Sequence, residues 1–192
     1  DGVYSLKEAE LIESFYGIRY DIESFAASSY FSEILESVCI ENQPDPELVS
    51  LFLNSMYLLA NRKDKPIPFI KSVYELRTAL EEGLAPDVSC CSVCAGTDSP
   101  GYLDIANGVF VCADCFHSEL SSQEGGRFLV PLGRDSLRLA RSILAAPSKR
   151  AFSFSPDRQV ISELSYASEK YLLYHTGGNY NTLEFLHSVV QM

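Results

Sequence analysis

The sequence predicts a mainly α protein: a helical bundle into which a four-cysteine knuckle with a short β-hairpin is inserted. Three observations carry that reading. Apolar residues recur at helical spacing through most of the chain, between recognisable start and stop signals. Strand-like alternation is confined to Val109–Cys112 and a weaker stretch over residues 151–155. Four of the six cysteines form two pairs, Cys91-x₂-Cys94 and Cys112-x₂-Cys115, separated by seventeen residues. A chain of 192 residues is long enough to bury ~70% of its unfolded surface. The expected organisation is a helical domain in two parts, residues 1–87 and 119–192, with the knuckle at 88–118.

The elements follow in order. Ser5 and Glu8 form a capping box ahead of Ala9, Leu11, Ile12 and Phe15, and Gly17 ends that helix. Asp21 caps a second helix, in which Ile22, Phe25, Ala26, Phe31, Ile34, Leu35 and Val38 repeat near 3.6 residues. Asp45-Pro46 places a cap and a first-turn proline ahead of a third helix reaching about Ala60. Asn61 to Lys65 reads as a polar turn. The next helix runs from about Pro68 to Glu82, stopped by Gly83 and Pro86. Within the knuckle, Ser99-Pro100-Gly101 and Asn107-Gly108 are turn sequences, and Val109–Cys112 is a hairpin strand. Residues 121–126 form a polar loop. A helix follows over about Asp135 to Ala145, stopped by Pro147. Ser155-Pro156 opens a long helix to about His175, closed by Gly177-Gly178. Asn181 or Thr182 caps the last one.

Each cysteine pair sits on a tight turn that aims two sulfurs at one point. The seventeen-residue gap lets the chain fold back and bring both pairs around one tetrahedral ion. Cys91, Cys94, Cys112 and Cys115 therefore read as the ligands of a structural Zn²⁺. Two disulfides, or a redox CxxC, are the alternatives; the first needs an oxidising compartment and the second a neighbouring βαβ pattern. Four thiolates close the coordination sphere, so such a metal folds the loop and leaves no open position for chemistry. Cys90 is the spare beside the first pair, and His117 reads as a surface histidine. Cys39, in an apolar helical stretch, reads as a small buried hydrophobe. His175 and His187 show no acidic or nucleophilic partner in sequence.

Net charge is −11, which weighs against general nucleic-acid binding by bulk attraction. The charge is uneven. Residues 134–158 hold six bases and two acids. Arg134, Arg138 and Arg141, at i, i+4 and i+7, make a helical stripe extended by Lys149 and Arg150. Guanidinium forks suit phosphate and carboxylate oxygens, so the stripe is a candidate site for DNA or an acidic peptide. The competing reading is a solvated helix face with Leu137, Ala140 and Leu144 buried opposite. No apolar run reaches the ~20 residues of a membrane helix. No glycine-rich nucleotide loop, HExxH or Ser-His-Asp arrangement occurs, so no catalytic residue is assigned.

Taken together, several motifs resemble one family. They are Leu11-Ile12-Glu13-Ser14-Phe15-Tyr16-Gly17-Ile18-Arg19-Tyr20-Asp21; Phe69 to Leu80 followed by Gly83-Leu84-Ala85-Pro86; Gly108-Val109-Phe110-Val111-Cys112-Ala113-Asp114-Cys115; and Tyr171-Leu172-Leu173-Tyr174-His175 with Leu183-Glu184-Phe185-Leu186. In this order they resemble the RecO family of bacterial recombination mediators, in the part that follows its N-terminal OB-fold. The resemblance implies a helical domain with an inserted zinc-binding segment and a cytoplasmic, nucleoid-associated place in RecF-pathway DNA repair. It implies binding to single- and double-stranded DNA, to RecR and to the acidic C-terminal tail of single-strand binding protein, in support of annealing and recombinase loading. The chain begins at Asp1 rather than Met, so the OB-fold is expected to precede it. A zinc-stabilised interaction domain outside repair, or a fragment of a zinc-ribbon enzyme, is the alternative.

Overall fold

A computed structural model describes residues 5, 7–61, 64–120 and 127–190. The first regular element is a 3₁₀ turn, Tyr16–Tyr20, and not a helix starting at Ser5. Residues 7–15 are not helical, and Leu11 and Ile12 are 78% and 95% exposed. A short segment that buries no apolar face cannot offset the cost of helix nucleation, so the capping box is overridden. Gly17 lies inside the 3₁₀ turn, where a Cβ would stand 1.9 Å from the Ala60 carbonyl oxygen.

Helix α1, Ile22–Val38, starts where the sequence predicts. The Asp21 carboxylate accepts from the Glu23 N–H at 3.3 Å and the Ser24 hydroxyl at 2.7 Å. Cys39 follows the end of this helix and is exposed, not buried as predicted. Helix α2, Pro46–Asn61, is capped by Asp45, which accepts from the Leu48 N–H at 2.9 Å. Helix α3, Ile67–Glu81, ends before Gly83, whose φ of +71° requires glycine or strain. Twelve of its fifteen residues are buried, which makes it the central helix. It packs against α1, α2 and two later helices, α5, Arg134–Ala145, and α6, Arg158–Thr176. The remaining helices are α4, Ala113–Cys115, continued by a π turn Phe116–Leu120, and α7, Asn181–Val189, which lies along α1. At the heart of the bundle Phe31 and Tyr74 stack at 4.3 Å, and the Tyr74 hydroxyl donates to the Phe31 carbonyl at 3.0 Å.

Three strands form one antiparallel sheet in the order β2-β1-β3: β1 is Gly101–Asp104, β2 Val109–Cys112 and β3 Leu129–Leu132. The hairpin strand at Val109–Cys112 is as predicted. Residues 151–155 are turn and irregular chain, not a strand. The polar loop expected at 121–126 lies outside the described residues. The sheet rests on α6. The Tyr171 hydroxyl donates to the Leu84 carbonyl at 2.8 Å, beneath the β1–β2 turn, and a Cβ at Gly108 would stand 2.8 Å from that hydroxyl.

Several helix ends are satisfied across the fold and not locally. Glu163 of α6 accepts from the Gly133 N–H at 3.0 Å and the Ser136 hydroxyl at 2.6 Å, at the start of α5. At its other end Arg77 of α3 donates to the Leu144 and Ala146 carbonyls. A carboxylate at the N-terminus and a guanidinium at the C-terminus match the helix dipole. Neither Asn181 nor Thr182 caps α7. Glu33 of α1 instead accepts from both of their N–H groups, at 3.1 and 2.9 Å, and from the Thr182 hydroxyl. Glu33→Ala should therefore fray α7 by about 1 kcal/mol. Hydrogen exchange of the first-turn amides of α7 reads this, and unchanged protection would contradict it.

Candidate metal centre

The first cysteine pair lies on a turn closed by backbone. The Cys91 N–H donates to the Gly96 carbonyl at 2.8 Å, and the Ala95 N–H to the Cys91 carbonyl at 2.9 Å. Ala95 takes a φ of +59°, and a Cβ at Gly96 would approach the Cys94 sulfur to 3.2 Å. The second pair spans the end of β2 and α4. The two are tied together by the Ser92 N–H donating to the Phe110 carbonyl at 2.9 Å and the Cys112 N–H to the Cys91 sulfur at 3.3 Å. As a result the sulfurs of Cys91, Cys94, Cys112 and Cys115 all lie within 4.8 Å of one another. Cys91, Cys112 and Cys115 are buried and Cys94 is exposed. Cys90 stands outside the cluster, as the spacing predicts, and all six cysteines are free thiols. His117 is exposed, one residue beyond Phe116, whose ring its own meets edge-on at 5.5 Å.

The chemistry of this donor set fits a soft divalent cation. Burial disfavours the Cys91 thiolate, yet the N–H groups of Cys94, Cys112 and Val93 pull its pKa down to about 6. Contacts with the sulfurs of Cys112 and Cys94 push the Cys115 thiol up. The Cys91 thiolate therefore forms readily, and that of Cys115 needs positive charge among the sulfurs, which a metal ion would supply.

Helix α5 grips the knuckle with two of the predicted stripe residues. Arg138 makes a fork to Asp98, Nε and Nη2 each 2.9 Å from a carboxylate oxygen, and also reaches Asp135 at 3.5 Å. Arg141 donates from Nε to the Val88 carbonyl and from Nη1 to the Thr97 carbonyl. The stripe is thus balanced by Asp98 as well as Asp135. Arg134, Lys149 and Arg150 are exposed.

A second polar cluster lies in the bundle and was not visible in sequence. Lys71 is fully buried, 2.9 Å from Glu75 and 2.9 Å from Glu169, and donates to the Ser165 carbonyl at 3.2 Å. Tyr30 and Ser168 donate to Glu75 at 2.8 and 2.6 Å, and His187 meets Glu169 at 2.8 Å. His187 therefore does have an acidic partner, and His175 bonds the Ile105 carbonyl at 2.7 Å. Burial pushes the Glu75 carboxyl up against the pull of Lys71. Burial also opposes the Glu169 charge, but Lys71 and His187 hold it down to about 2. The one available hint was Lys71 and Glu75 at i, i+4 inside an apolar helix. Among the described residues, no helix is long and apolar enough to cross a membrane.

The family model described as "Recombination protein O C terminal" matches residues 19–184. The chain is 30% identical over 186 residues to the DNA repair protein RecO of Acetivibrio thermocellus, covering 96% of this chain and 70% of that protein. It is 24% identical over 184 residues to the one of Desulforamulus reducens, covering 95% and 68%. It is 23% identical over 191 residues to the one of Bacillus subtilis, covering 100% and 71%. With a mainly helical body and a four-cysteine cluster placed as the motifs require, the chain belongs to the RecO family of DNA repair and recombination proteins, in its C-terminal part.

Proposed function

We propose that the chain acts without catalysis, as a binding module of a recombination mediator in RecF-type repair. The family match over residues 19–184 carries this reading. In it, Cys91, Cys94, Cys112 and Cys115 hold a structural Zn²⁺. The chain takes part in strand annealing and recombinase loading through DNA, RecR and the acidic C-terminal tail of single-strand binding protein. An acidic tail ending in an aromatic residue needs a basic rim beside an apolar slot. Lys149 supplies such a rim to a cavity of about 250 Å³, lined also by Tyr57, Leu58 and Phe152, with Arg150 next in the chain. Arg134 offers an exposed cation on α5 for the same role or for DNA phosphates, while Arg138 and Arg141 serve mainly to hold the knuckle.

The test is capture of single-strand binding protein by this chain, together with acceleration of annealing of coated complementary strands. Capture should be lost when the acidic tail is deleted, and Lys149→Glu with Arg150→Glu should weaken it about tenfold or more. Absence of both capture and annealing would overturn the reading.

A further inference from the structure

Helix α6 turns one face to solvent, and that face carries an alternation of aromatic and cationic groups. Tyr166 and Tyr174 are 53% and 52% exposed, and Lys170 lies between them at i+4 from the first and i−4 from the second. The Lys170 ammonium stands over the Tyr166 ring, 5.3 Å from its centroid. Beyond Tyr174 the row continues to Phe128, whose ring meets Tyr174 edge-on at 6.5 Å, and Arg127 adjoins Phe128 in the chain. The two tyrosines are about 12 Å apart along the helix axis.

Charge along this row runs against that of the chain. The molecule carries a net −11, yet both carboxylates of α6 are already engaged. Glu163 accepts from Gly133 and Ser136 at the start of α5. Glu169 is 6% exposed and is shared by Lys71 and His187; Lys170 also reaches it at 3.3 Å. The Lys170 side chain is 30% exposed and pairs with Glu169, which Lys71 and His187 also bind. Arg127 stands 3.8 Å from Asp104 and is 28% exposed.

From this row we infer that Tyr166, Lys170, Tyr174 and Phe128 form a stacking track for single-stranded nucleic acid, with Lys170 and Arg127 on its phosphates. Exposed aromatic faces accept unpaired bases whatever their identity, and interleaved cations follow the backbone. A duplex hides its base faces and gains nothing from the tyrosines. The track is separate from the Lys149 cavity and rests on the repair reading above for its biological sense.

The test is binding of a fluorescein-labelled oligothymidylate to the full chain by anisotropy. Tyr166→Ala with Tyr174→Ala should weaken binding about tenfold or more. Lys170→Ala should lower the slope of log K against log salt by about 0.7. Tyr20→Ala, at a more exposed tyrosine elsewhere (80% exposed), should leave binding unchanged. The chain contains no tryptophan, so Tyr174→Trp introduces a single reporter. Its emission should be quenched on binding if bases stack there. Wild-type affinity in the double variant, unquenched emission in a bound complex, or no oligothymidylate binding by the chain overturns the track. In each case capture of single-strand binding protein still judges the repair reading by itself. Loss of that capture in the double variant with oligothymidylate binding intact would make the face a protein surface and would also overturn the track.

Discussion

Removing the proposed zinc from the cysteine cluster is expected to unfold the knuckle and leave the helical bundle standing. In the turn at Cys91 to Gly96, residues 92–95 are all exposed. Their geometry is set by four sulfurs within 4.8 Å of one another. Free zinc-binding peptides draw on the order of 10–16 kcal/mol from their metal and are unfolded without it. Here the loss is smaller in extent, because Leu103, Ile105, Phe110 and Val130 are buried in the main core and anchor the sheet independently. Hydrogen exchange after chelation should show amides of Cys91, Ala95 and Cys112 losing protection while α1, α3 and α6 keep theirs. Cys112→Ser should do the same without chelator. A uniform loss across all helices, or no change anywhere, would contradict this. Arg138 and Arg141 hold the same loop from outside, but the exposed Arg138–Asp98 pair contributes only about 0–1 kcal/mol and cannot replace the metal.

Lys71→Met should be the most damaging single change in the bundle. It leaves Glu75 and Glu169 facing each other with their shared cation gone. Removing one partner of a buried ion pair costs about 3–5 kcal/mol. For a chain of this size that lowers the melting temperature by on the order of 10 °C. The pH dependence should change with it. Glu169 is held at about 2, below its ordinary 4.5, so its contribution to stability is complete above pH 4.5. It is lost as pH falls from there through about 2. Burial raises Glu75, which acts with opposite sign: its contribution is present at low pH and lost as pH rises through its folded value. In Lys71→Met the acid-side loss due to Glu169 should shrink, because the pull that depressed its carboxyl is absent. Thermal melts between pH 2 and 7 read both effects. A wild-type melting curve for the variant would show that Lys71 is dispensable.

The parts of the fold that sequence revealed are those set by neighbours in the chain. Asp21 and Asp45 cap the helices they precede, and the cysteine spacing brings four sulfurs together. The parts it concealed are set across long separations. Glu33 caps α7 from 148 residues away, and Asp98 answers Arg138 from forty. Strand β3 is four residues long and includes Pro131, which an edge strand tolerates but a pattern search discounts. Ser5 and Glu8 carried a valid local helix signal that lost because no surface covers Leu11 and Ile12. Lys71 and Glu75 are four apart in the chain, but the partners that complete their cluster, Glu169, Ser165 and Ser168, come from α6 some ninety residues on.

Metal content of the reduced, purified chain, measured together with thiol reactivity, tests the central claim most directly. The expected result is one zinc per chain, with Cys39 and Cys90 reacting readily and the other four thiols reacting only after chelation. A chain free of metal whose six thiols all react at once, while the knuckle keeps its structure, would contradict it.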